Sequence, residues 1–253
     1  QPFSQLQPAG LPLSVQLLPQ YFLEAGYQTM MVGKWHLGFR QREYLPTSRG
    51  FEHFYGNLTG GIGYWDHVHG GGLDWQRNGA TVRETGYVTH LLRDEARRLV
   101  SNRDPARPFL LYLAFTAPHL PNEAPEDAIA SYAGIPDVRR RTHAAMVSDM
   151  DAAIGDLLQT LRSQELLEET LVLFFSDNGG PTAELTSSNA PLRGGKGTLY
   201  EGGIRIPMIW SMPGRLAAGG VEDRPVLSLD IAATALDLAG LPADEAADGK
   251  SLF

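Results

Sequence analysis

The stretch Gly26-Tyr27-Gln28-Thr29-Met30-Met31-Val32-Gly33-Lys34-Trp35-His36-Leu37-Gly38 decides the fold. Tyr27 to Val32 reads as a short buried strand closed by Gly33. Ahead of it, Val15 to Ala25 has helical apolar spacing and stops at Gly26, a natural helix end. After it, Lys34 and His36 stand two apart, and in extended chain they would share a face. A helix, a core strand and then polar groups at the strand's carboxyl end is the pattern of an α/β protein, whose sites lie at such ends.

Working outward, the same alternation continues. Tyr87 to Ser101 predicts an amphipathic helix, and Phe109 to Phe115 is an unbroken apolar run of the kind covered on both faces. Asp137 to Ser163 is the longest predicted helix, with Met146, Met150, Ile154, Leu157, Leu158 and Leu161 as its apolar stripe. Leu171 to Phe175 and Ile206 to Trp210 predict two more core strands, and Ile231 to Leu238 a helix ending at Gly240. Gly50 to Gly79 has no steady period and reads as a long loop, as does Gln1 to Gly10. The expected fold class is α/β with a mostly parallel central sheet.

Composition bounds the function. The 253 residues are 43% hydrophobic, with 28 Gly and 17 Pro, which suits one large globular domain rich in loops. A net charge of −8 argues against nucleic acid, which needs a basic face. A few buried cations can still hold a small anion against that net charge. There is no cysteine, so disulfides, thiolate zinc sites and cysteine nucleophiles are excluded within the chain. No apolar run reaches the length of a membrane span, and no signal peptide opens the sequence.

Four strand-end or loop segments carry polar chemistry. Besides Lys34 and His36 there is Thr116-Ala117-Pro118-His119 after the Phe109 strand. Ser176-Asp177-Asn178-Gly179-Gly180 follows the Leu171 strand; its carboxylate and amide oxygens suit a hard cation, while Asp-Asn-Gly is also ordinary turn chemistry. Lys196 sits in Leu192-Arg193-Gly194-Gly195-Lys196-Gly197-Thr198, which lacks the spacing of a P-loop. His67 and His69 lack the further ligands of a zinc site; Tyr64, Trp65 and His67 are expected instead to line a substrate mouth. Arg139 to Arg141 read as a solvated face, and Glu201 as a residue that orients Lys196 or caps its loop.

Taken together, these segments resemble the sulfatase family of the alkaline-phosphatase-like superfamily. Within it, Leu45-Pro46-Thr47-Ser48-Arg49-Gly50-Phe51 and Asn189-Ala190-Pro191-Leu192-Arg193-Gly194 are most similar to the arylsulfatase B, or N-acetylgalactosamine-4-sulfatase, type. The resemblance implies a three-layer α/β/α domain and hydrolysis of a sulfated sugar or aryl sulfate. It implies Asp177 and Asn178 as two ligands of a Ca²⁺ ion. Lys34 would hold the nucleophile, with His36 as its base. His119 and Lys196 would bind the sulfate and help protonate the leaving oxygen. By analogy the compartment would be periplasmic, secreted or lysosome-like.

The departures shape a further expectation. The family's nucleophile is a formylglycine made from the Cys or Ser of a Cys/Ser-x-Pro/Ala-x-Arg motif, and paired aspartates complete its metal site. Both precede the first helix in the family, and neither is found there in this chain. The chain therefore reads as one partial catalytic domain over residues 1–253, incomplete at its N-terminus and without the family's smaller C-terminal subdomain. Inactivity on its own is the expected consequence. A nucleophile-free binding module and a phosphatase or phosphodiesterase of the same superfamily are the alternatives.

Overall fold

A computed structural model describes residues 10–182, 187–242 and 247–253. The loop expected over residues 1–10 lies, except for Gly10, outside the described residues. The helix before the deciding stretch is α1 (Leu18–Glu24), with Pro19 in its first turn, where a missing N–H costs nothing. It leads into β1 (Gln28–Gly33). The expected loop over Gly50 to Gly79 is corrected: it contains β2 (His53–Gly56), β3 (Val68–His69), β4 (Gly72–Leu73) and β5 (Gln76–Arg77), followed by β6 (Ala80–Thr81). β2 is four residues long with Phe54 and Tyr55 both buried, so it shows no alternation to read.

The chain then forms α2 (Val88–Ser101), β7 (Phe109–Ala114), α3 (Glu126–Ala130) and α4 (Val138–Ser163). Asp137 caps α4 by accepting from the backbone N–H groups of Arg139 and Arg140. After α4 come β8 (Val172–Phe175), α5 (Glu201–Ile204), β9 (Met208–Ser211) and α6 (Ser228–Leu238). The main sheet runs β6-β5-β2-β1-β7. β1 is parallel to both β2 and β7, while β5 and β6 add an antiparallel edge, so the sheet is mixed around a parallel centre.

Two expectations about strands are corrected. β8 and β9 do not extend the main sheet; they pair with each other, antiparallel, with Val172 opposite Ser211 and Phe175 opposite Met208. β7 is not covered on both faces, because Tyr112 is 46% exposed. An apolar run reports what a strand could bury, not which neighbours it has.

Alternation along the central strands builds two cores. Val32 and Tyr55 face a cluster with Trp75, Leu92 of α2 and Met146 of α4. Met31 and Phe54, one residue away, face the opposite cluster with Trp35, Phe51 and Leu58. Helices α2 and α4 thus cover one face, and the segment from Leu17 to α1 and the loop after β1 cover the other.

Glu95 ties α2 to the sheet. It is 5% exposed, accepts from Arg98 at 2.7 Å and from Arg77, and has His53 Nε2 2.7 Å away. Burial pushes this carboxyl up, but the hydrogen bonds of Arg98 and His53 and the nearby guanidinium charges outweigh it and hold it at about 2. A depressed carboxyl stabilises the fold above its unfolded value of 4.5, and that contribution is lost as pH falls toward 2. Glu95→Gln is expected to cost about 2 kcal/mol at pH 7, the scale of hydrogen bonds to a charged group. Urea melts should show that difference shrink between pH 5 and pH 2; a constant difference would reject the ionic origin.

Candidate active site

Three backbones meet where β1, β2 and β7 end. A Cβ on Gly33 would lie 1.9 Å from the carbonyl oxygen of Ala114, and one on Gly56 would lie 2.2 Å from that of Gly33. Both glycines also have positive φ, 114° and 144°. Only glycine permits this approach, and it brings the loops that leave the three strands side by side. The Lys34 N–H donates to Ala114 O at 2.9 Å, Trp35 N–H to Asn57 O at 2.9 Å and His36 N–H to Leu58 O at 3.1 Å.

Trp35 is the wedge of this turn. Its indole N–H donates to the carbonyls of Gly38 and Tyr44 at 3.0 and 2.9 Å, and its ring is buried. The chain is not extended from Lys34 to His36, as a shared face would require: His36 has φ 57°. A turn brings the two side chains together instead. Asp74 fixes the far side by accepting from the backbone N–H groups of Leu58 and Thr59 at 3.0 and 2.9 Å. Asp74 came from the unreadable loop, and nothing in the sequence singles it out.

His36 and His119 flank one dipeptide. A Cβ on Gly60 would lie 2.7 Å from His36 Nε2, and one on Gly61 would lie 3.1 Å from His119 Nδ1. His119 Nδ1–H donates to Leu120 O at 2.8 Å, which in the neutral ring leaves Nε2 as the free acceptor. Its backbone is held by Thr116 O, which accepts from His119 N–H at 2.9 Å, and by Tyr64 O–H, which donates to His119 O at 3.0 Å.

The remaining two groups arrive on a joined pair of loops. Gly179 N–H donates to Gly203 O at 3.0 Å, and Lys196 N–H to Gly180 O at 3.3 Å. Asn189 bonds both ways to Gly180 at 2.9 Å. The stretch carrying Asp177 and Asn178 is thus stitched to the loop carrying Lys196. Glu201 does not orient Lys196; its carboxylate pairs with Arg205 at 3.6 Å.

The charges of these groups are felt across the site. Burial pushes the Lys34 ammonium down, Asp177 pulls it back up, and Lys196 lowers it again. Burial also lowers His36, helped by Lys34, His119, Lys196 and His69. His119 is lowered by burial, against its bond to Leu120 O, with Lys196 and Lys34 adding to the shift. Lys34, His36 and His119 are each lowered by neighbouring positive charge, that of Lys196 included, and Asp177 is the carboxylate that opposes it at Lys34 and His119. Such a field favours an anion, and the downward shifts keep both imidazoles neutral near pH 7.

Two expected mouth residues are corrected. His67 is 1% exposed, stacks on Trp75 at 4.9 Å and shares a hydrogen bond with Gly86 O at 2.9 Å, so it packs beneath the loop. Tyr64 is fully buried and braces His119. Trp65 alone of the three is exposed.

A metal was also expected. Asp177 is exposed, and Asn178 donates through Nδ2 to Gly179 O at 2.9 Å, which leaves its Oδ1 free. No group of three or more His, Cys, Asp or Glu gathers as a metal site among the described residues. Calcium takes about 6–8 oxygens, so this pair is too small a donor set to hold it alone.

One serine was passed over on sequence. Ser211-Met212-Pro213-Gly214-Arg215 satisfies the Ser-x-Pro-x-Arg pattern. Ser211 pairs with Val172, at the end of β8 opposite the one that leads to Asp177, and Gly214 N–H donates to Glu168 O at 3.1 Å. It cannot reach the anion site.

Comparison with known proteins gives one family. A sulfatase family model matches residues 1–241. The chain is 41% identical over 208 residues to arylsulfatase J of Mus musculus, covering 79% of this chain and 34% of that protein. It is 34% identical to N-acetylgalactosamine-6-sulfatase of Homo sapiens, covering 96% and 49%. The crystal structure of Ps i-CgsB in complex with k-i-k-neocarrahexaose superposes with a TM-score of 0.92 at 33% identity, covering 97% of this chain and 58% of that one. PsFucS1 sulfatase from Pseudoalteromonas sp. gives 0.75 at 28% identity, covering 88% and 50%. The chain thus spans about a third to a half of these curated relatives.

Proposed function

The chain belongs to the sulfatase family, and from that premise we propose that it supplies the anion-binding and proton-transfer part of a sulfuric ester hydrolase site. The observation that carries this reading is the convergence of Lys34, His36, His119 and Lys196. Lys34 and Lys196 offset charge on the transferring sulfonyl group. His36, neutral near pH 7, accepts a proton from the attacking hydroxyl. His119 presents Nε2 toward the leaving oxygen, and a bound anion raises its proton affinity so that it can donate there.

Family members generally use a metal ion. Asp177 and Asn178 are the two oxygen donors this chain would bring to Ca²⁺, where the ion would add positive charge beside the sulfate. On this reading the nucleophile comes from outside these residues; two facts support it, the lack of any cysteine and the position of Ser211 at the opposite end of β8 from Asp177. The substrate is an aryl sulfate or a sulfated sugar. The oligosaccharide bound by the similar Ps i-CgsB favours a sugar polymer, and a 4-sulfated hexosamine is a further candidate.

Hydrolysis of 4-nitrophenyl sulfate and 4-nitrophenyl phosphate tests this reading. It is measured for this chain alone and for the product of the complete reading frame containing it. The chain alone should stay at background, and the complete product should prefer the sulfate. Turnover by the chain alone would place the nucleophile within it; preference for the phosphate would reject the sulfatase reading.

A further inference from the structure

Beside the basic centre lies a cleft of opposite character. It has a volume of about 750 Å³ and is lined by Trp65, Ala124, Pro125, Glu126 and Asp127. Small-ligand sites span about 300–1,000 Å³, so the cleft has room for a sugar ring. Its aromatic wall is presented to solvent, since Trp65 is 51% exposed. It is also held in place: the indole lies against Tyr87 at 5.1 Å, and Tyr87 O–H donates to Glu123 O at 2.9 Å. An exposed indole fixed from behind is a platform for the C–H face of a pyranose, and little side-chain freedom is lost when a ring settles on it.

The cleft wall is tied to His119 through Tyr64. Tyr64, the neighbour of Trp65, donates from its hydroxyl to His119 O and from its backbone N–H to Glu123 Oε2 at 2.9 Å. Four residues separate His119 from Ala124 of the cleft wall. The charge changes sign across this short distance. Lys34, His36 and His119 feel one another's positive charge and that of Lys196, whereas Glu126 and Asp127 are exposed carboxylates on the cleft. Carboxylates accept hydrogen bonds from sugar hydroxyls and repel a sulfate or a uronate.

We propose that the Trp65–Asp127 cleft is a subsite for an uncharged pyranose linked to the sulfated ring, so that the protein selects sugar chains in which a sulfated residue has an unsulfated neighbour. The proposal rests on the sulfate-site reading for its second anchor. Trp65 acts on affinity for the longer ligand and takes no part in bond breaking.

Calorimetric titration separates the two ideas, with four probes: inorganic sulfate, galactose 4-sulfate, lactose carrying one sulfate on the galactose, and lactose sulfated on both rings. Trp65→Ala should weaken the monosulfated lactose about tenfold, the cost of a well-placed contact residue, and leave sulfate and galactose 4-sulfate unchanged. Trp65→Phe should retain most of that affinity. The doubly sulfated lactose should bind the native protein more weakly than the monosulfated one, and Glu126→Gln with Asp127→Asn should narrow the gap. Unchanged binding of the monosulfated lactose to Trp65→Ala would overturn the subsite. Equal binding of the two lactose sulfates would overturn its charge selectivity. Failure of inorganic sulfate to bind, with the Trp65 effect intact, would strike the sulfate reading and leave the cleft standing.

Discussion

In the product of the complete reading frame, Lys34→Ala is expected to lower kcat for a sulfate ester by about 10²–10³, the cost of removing one preorganised donor from developing charge. The same substitution should weaken binding of inorganic sulfate. The fold should survive it, because the backbone bond of Lys34 N–H to Ala114 O and the burial of Trp35 do not need the ammonium. What is lost is a half-buried cation already under strain from burial and Lys196, which an arriving anion relieves. The interaction is strongest when negative charge is greatest, so the effect should fall on kcat more than on KM. Lys34→Arg should not restore the rate, since a planar fork does not fill the place of a compact ammonium. A loss confined to KM would show that Lys34 binds substrate without acting on the transition state.

The largest effect on stability is expected from Gly33→Ala. The new methyl would sit 1.9 Å from Ala114 O and 2.6 Å from Ala114 C, which are backbone atoms within a strand pair. The residue must also keep φ 114°, which alanine rarely adopts. Backbone strain of about 1–3 kcal/mol and overpacking of about 1–3 kcal/mol together come to about 4 kcal/mol. At roughly 2–4 °C per kcal/mol for a chain of this size, the melting temperature should fall by about 10 °C. Gly26→Ala is the control. It shares a positive φ, 86°, but its Cβ would meet nothing within 4 Å, so only the smaller strain cost applies. Equal losses from the two variants would mean that the close approach at Gly33 is not what holds β1 to β7.

These two positions also show why the sequence was partly legible. β1 and its neighbours Lys34 and His36 could be read because a buried strand between two glycines has few alternatives. Helix α4 could be read because 26 residues repeat one apolar face. β2 could not, since Phe54 and Tyr55 feed opposite cores and four residues carry no period. The pairing of β8 with β9 depends on which strands lie beside them, and an apolar run of four or five residues does not encode that.

Lys34, His36 and His119 could be singled out by position, just after strands β1 and β7. His67 misled for a physical reason: its place near Tyr64 and Trp65 suggested a mouth, but the folded loop stacks it on Trp75 and buries it. Asp74 and the Gly60-Gly61 dipeptide were silent, because their roles arise only once a loop is folded against His36 and His119. The proposed anion site thus joins readable residues to an unreadable scaffold.

The central claim is that Lys34, His36, His119 and Lys196 enclose one tetrahedral anion. A crystal of this chain soaked in selenate tests it directly, because selenium marks the anion by its anomalous scattering. The account predicts a strong selenium peak about 4 Å from Lys34 Nζ, facing His36, His119 and Lys196, which puts a selenate oxygen at hydrogen-bonding distance from the ammonium. Selenate bound only elsewhere on the surface, with this space holding none, would contradict it.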